Sequence, residues 1–126
     1  MKKLLALIIL LFPMQAFAIG NPLGSVQSTA AEATRVLKSS GGSLISFLAT
    51  SGAAAGYVLF FDATAAPANG AVMPKLCYIL PANTTLSGNF QTIPLPFNTG
   101  IVMEFSSTGC FTATSSATAF LVGQAQ

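Results

Sequence analysis

Histidine is absent from this 126-residue chain, charged residues make up only 6% of it, and cysteine occurs twice. Without an imidazole no Ser-His-Asp or Cys-His relay is possible. The two cysteines, Cys77 and Cys110, have no histidine to join them and a spacing unlike any zinc pattern, so no metal site is expected. General acid–base chemistry would fall to carboxylates scattered along the chain. Asp62 and Glu104 are the pair to consider, since carboxylates on neighbouring strands can approach each other as they do in glycosidases. Ordinary burial preferences instead place each at a strand end, facing solvent. No catalytic residue, cofactor or metal ligand is assigned, and the chain reads as a non-enzyme.

The formal net charge of +2 comes from Lys2 and Lys3, because Arg35, Lys38 and Lys75 balance Glu32, Asp62 and Glu104. Phosphate binding needs clustered Lys or Arg to displace counterions, so nucleic acid is excluded as a partner, and anionic membrane surfaces are equally disfavoured. Gly41-Gly42 lacks the following Lys and Ser or Thr of a phosphate cradle. A surface of Ala, Ser, Thr and Gly with so few charges associates readily, which points to self-association or docking on a larger protein surface.

What is present begins with an export signal. Lys2 and Lys3 form a positive n-region, Leu4 to Phe12 an apolar run, and Ala16-Phe17-Ala18 a small-x-small cleavage pattern. The run is shorter than the roughly 20 residues of a membrane-spanning helix, and Pro13 ends it. Residues 1–18 therefore read as a signal peptide, with no stable membrane span after cleavage and a periplasmic, extracellular, cell-surface or virion-surface destination. About 108 residues remain, enough for one domain with one core. In an oxidising compartment an even cysteine count reads as a disulfide, Cys77 to Cys110, the alternative being two buried free thiols.

Residues 19–34 read as an N-terminal arm or a short helix, in which Thr29 and Glu32 would form a capping box. Residues 35–126 carry strand and turn signals. Arg35 to Ser39 and Ser43 to Thr50 flank Ser40-Gly41-Gly42, whose glycines would supply the positive φ of a hairpin turn. Gly56 to Ala63 is a continuous apolar run, expected of a central strand buried on both faces. Leu76 to Leu80 lies between Pro74 and Pro81, and Thr84 to Phe90 follows it. Ile93 to Phe97 contains Pro94 and Pro96 and reads as a loop or edge segment, with Ile93, Leu95 and Phe97 packing onto the sheet. Gly100 to Ser106 and Ala117 to Gln124 both alternate, and Cys110 to Ala113 is expected to pair with the former across Ser107-Thr108-Gly109. These segments predict an all-β, single-domain antiparallel β-sandwich or jelly roll of about seven to eight strands.

Aromatic side chains are the remaining candidates for binding, to a glycan or to protein. Tyr57, Tyr78, Phe60, Phe61, Phe97, Phe105 and Phe120 lie within apolar strands and read mostly as core, whereas Phe111, beside Cys110 at a turn, is the candidate contact aromatic.

Three stretches carry a resemblance: RVLKSSGGSL, then GYVLFFDATAAPANGAVMPKLCYILPAN, then FNTGIVMEFSSTGCFTATSSATAFLVGQ. They resemble a group of short, uncharacterised β-sandwich proteins and modules found in tailed-phage and prophage structural gene sets and in bacterial genomes. The resemblance implies a virion decoration, fibre or attachment element, and it carries over no catalytic residue.

N-terminal sequencing of the exported protein is expected to begin at Ile19; a mature protein still starting at Met1 would remove the export signal.

Overall fold

The computed structural model describes residues 24–126; the expected signal peptide, residues 1–18, lies outside them, as do residues 19–23. Eleven strands occur among the described residues: β1 (Gly24–Gln27), β2 (Thr34–Lys38), β3 (Gly42–Ser51), β4 (Gly56–Phe61), β5 (Gly70–Ala71), β6 (Leu76–Leu80), β7 (Thr85–Asn89), β8 (Leu95–Phe97), β9 (Ile101–Ser106), β10 (Thr112–Ala113) and β11 (Ala119–Ala125). The class is the expected one, and the extra strands are short. One sheet runs β1-β11-β3-β7, with β8 also on β3; the other runs β2-β9-β4-β6; β5 and β10 form a separate two-residue ladder. All pairings are antiparallel.

Alternation drives the packing, because successive side chains point to opposite faces of a strand. Leu44, Phe47 and Ala49 of β3 and Ala119 and Leu121 of β11 meet Val58, Phe60, Ile101, Met103 and Phe105 of the other sheet. At one side of this core the Phe47 ring lies 4.9 Å from Phe60, 5.3 Å from Tyr78 and 6.3 Å from Phe90.

In β3 the inward phase shifts between Leu44 and Phe47. Ala125 pairs with Leu44 and Gln124 with Ser46, which leaves Ile45 as the extra residue of a β-bulge. The partner on the other side changes at the same point: β8 pairs with Gly42–Leu44 and β7 with Ser46–Thr50.

The second sheet is buried on its outer face as well. Leu59 and Phe61 of β4 and Val102 of β9 pack there under Val72 and Ala113. The cover consists of the two connections that carry β5 and β10, and the disulfide between Cys77 and Cys110, with Cα atoms 5.7 Å apart, fastens one of them to β6. The predicted central strand is thus one of two, β4 and β9.

Several local expectations change. Residues 24–27 form a strand against β11, and no helical turn forms at Thr29–Glu32. The Glu32 carboxylate accepts hydrogen bonds from Ser28 and, at 2.6 Å, from Arg35 instead of closing a capping box. β2 and β3 are not a hairpin, since β2 pairs with β9 in the other sheet. Gly41 and Gly42 have no positive φ; an added Cβ would strike the carbonyl oxygens of Asn98 and Gln126, so close backbone approach is what requires them. Cys110 to Ala113 does not pair with β9; its last two residues form β10 on β5. Leu95 and Phe97 pack as expected, but Ile93 is 79% exposed.

Gly56 permits β4 to lie against β9, because a Cβ there would collide with the Ser106 carbonyl oxygen and the Phe105 ring, whereas Gly109 is open. Gly56→Ala is expected to destabilise the fold by about 1–3 kcal/mol in urea unfolding, and Gly109→Ala to leave it nearly unchanged. Replacing both cysteines by serine is expected to cost about 3–4 kcal/mol by the loop-closure relation, read as a lower denaturation midpoint.

Candidate functional site

The two sheets differ in what they leave bare. β11, β3 and β7 turn one side chain in two away from the core, and nothing among the described residues covers that face. Register sets these side chains in cross-strand rows. Gln27, Val122, Leu48 and Ser87 form one row, and Ser25, Gln124, Ser46 and Asn89 a second. Phe120, Thr50 and Thr85 form a third. No residue in these rows carries a charge. The polar members bond sideways: the Ser46 hydroxyl donates to Gln124 Oε1 at 2.8 Å, and the Thr50 and Thr85 hydroxyls lie 2.9 Å apart. Phe120, grouped with the core aromatics by its strand, is on this face and 47% exposed. A shallow depression of about 430 Å³ opens over the second row, lined by Ser25, Ser46, Ser87, Asn89 and Gln124 with Leu48 and Val122.

The covered sheet presents different chemistry. In its outer face Cys77, Leu59, Glu104 and Thr34 form a row across β6, β4, β9 and β2. Glu104 is fully buried at mid-strand rather than solvent-facing at a strand end. Its Oε1 accepts a 2.7 Å hydrogen bond from the Ser115 hydroxyl, and its Oε2 has no hydrogen-bond partner among the described residues. Burial pushes the carboxyl above the usual carboxylate range, and the Ser115 bond opposes this only in part. The backbone N–H of Ser115 in turn donates to Asn69 Oδ1 at 2.9 Å.

Asp62 has another task. Its carboxylate accepts backbone N–H bonds from Asn98 at 2.9 Å and Thr99 at 2.7 Å, tying the end of β4 to the turn between β8 and β9. Those bonds, with a lesser contribution from Lys75 Nζ at 3.8 Å, hold it below the usual carboxylate range. Leu59 is opposite Glu104, whereas Asp62 follows three residues later, just past the end of β4 and bonded to the turn between β8 and β9. The two carboxylates are not brought together.

Cys77 and Cys110 are joined, and Phe111 beside them is 67% exposed. The Val72 N–H donates to the Phe111 carbonyl, which sets Phe111 opposite Val72. Sequence alone singled out Phe111 but missed the uncharged rows. The alternation of Phe120, Val122 and Gln124 was visible, yet only the sheet order shows that this face is bare.

A scan against protein-family models and searches of curated proteins and of solved structures find no match for this chain.

The two carboxylates impose opposite pH dependences. Glu104, raised in the folded state, binds its proton more tightly than in the unfolded chain, so its contribution is present at low pH and is lost as pH rises through the folded value. Asp62, lowered, stabilises above its unfolded value, and that stability is lost as pH falls through the folded one. Urea unfolding across pH is expected to show that Glu104→Gln removes a decline on the neutral side, and Asp62→Asn a decline on the acid side.

Proposed function

We propose that this is a non-enzymatic structural or interaction protein, exported and disulfide-stapled, whose bare sheet face seats a second copy or a larger protein surface. The supporting observation is the set of uncharged rows on β1, β11, β3 and β7, centred on Leu48 and Val122. Interface cores are depleted of charge and carry aromatic side chains at their anchors, as Phe120 does here. Three cations balanced by three carboxylates after signal removal leave little long-range repulsion between copies. The resemblance to phage decoration and fibre modules agrees with a protein that packs on a larger assembly, at a virion or a host surface.

The depression over Ser46 and Gln124 favours a second reading, a periplasmic or secreted module for a neutral glycan, since its hydroxyl and amide groups suit a polyhydroxylated ligand. A glycan array with no hits argues against it.

For the first reading, light scattering behind size exclusion is expected to give a mass that rises with concentration. Leu48→Glu, which places a charge at the centre of the face, is expected to return the protein to a monomer. A strict monomer for the parent protein at every concentration ends the self-assembly version.

A further inference from the structure

Ser115, Glu104 and Asn69 are three groups that neither sheet packing nor the bare face requires. Ser115 lies between β10 and β11, and its hydroxyl donates to Glu104 Oε1 at 2.7 Å. The carboxylate is buried, has no cation within ion-pair distance among the described residues, and keeps Oε2 without a hydrogen-bond partner. Such a carboxylate is a stronger base than one in water. The same Ser115 donates its backbone N–H to the side-chain carbonyl of Asn69 at 2.9 Å. A hydroxyl bonded to a base, with its own residue's N–H on the oxygen of a carbonyl, is the arrangement that serine acyl transfer uses for nucleophile and oxyanion donor.

We infer that Ser115 and Asn69 are joined by an intramolecular ester, formed by Ser115 Oγ with Glu104 as general base. The hydroxyl proton passes to Glu104 while Oγ bonds to the Asn69 side-chain carbonyl carbon. The negative charge that develops on Asn69 Oδ1 is stabilised by the Ser115 N–H. Glu104 returns the proton to the amide nitrogen, the C–N bond breaks, and ammonia leaves. No oxidant or co-reactant is consumed, and Asn69 is exposed, so ammonia departs directly to solvent. The product ties the segment leading into β5 to the segment leading into β11, a second covalent fastening of the cover beside the disulfide.

The experiment is intact-mass spectrometry of the purified exported protein, its N-terminus fixed by sequencing, followed by peptide mapping. The expected mass is lower by one ammonia than that of the disulfide-bonded chain with the observed N-terminus, with the peptide containing Asn69 linked to the peptide containing Ser115. Cyclisation of Asn69 onto the Gly70 nitrogen would also release ammonia, so the variants must separate the two. Ser115→Ala, Glu104→Gln and Asn69→Ala are each expected to restore the missing mass, whereas a cyclised Asn69 would keep its loss in Ser115→Ala and would link no second peptide. Asn69 is exposed, so its variant remains a test even where Glu104→Gln fails to fold. A parent protein of full mass, or a loss that persists in Ser115→Ala, overturns the ester.

Discussion

The constraint on which the rest depends is that β4 and β9 have no face to give to water. Val58, Phe60, Ile101, Met103 and Phe105 fill one side, Leu59, Phe61 and Val102 the other. A sandwich of two sheets supplies a partner for the first side only. The second must be covered by the chain's own connections, and this accounts for the long passages either side of β5 and β10, which have too few ladder bonds to persist alone. The disulfide acts where that need is greatest, linking β6 to a connection with little regular structure of its own. Burying a charged residue under the cover is the consequence: Glu104 falls in the row of Leu59 and Cys77, and Ser115 provides the partner that its environment would otherwise lack.

Much of this was legible in residues whose neighbours along the chain decide their fate. The apolar run in β4, the alternation in β9 and β11 and the proline limits of β6 all reappear at nearly the expected positions. What was not legible depends on residues far apart in sequence. Nothing near Gly41 reveals that Asn98 and Gln126 will press against that turn, or that β2 and β3 will part into different sheets. Glu104 is a similar case: burial of its face depends on β5 and β10, which come from two distant segments. In the site, the cysteine pair and Phe111 follow from local reasoning, but the uncharged rows emerge only when four strands are set in register.

The bulge at Ile45 lets one long strand serve two short ones. Below it β3 faces β8 and above it β7, and the phase shift keeps apolar side chains inward on both halves. A straight strand in that position would have put Phe47 on the bare face and Ser46 in the core. Pro96 sits within β8 on the outside edge, where the missing donor costs no ladder bond to a further strand. Pro96 thereby blunts the β8 edge of this sheet against pairing with a further strand.

β1 and β11, the first and last of the described strands, lie side by side, with Gly24 opposite Ala125, and β3 also rests on β11. This sheet therefore has no complete centre without β11. A topology dominated by such distant pairings is expected to fold slowly for its size. β11 acts as the keystone: without it, the unpaired N–H and C=O groups along β1 and β3 stand open to another strand.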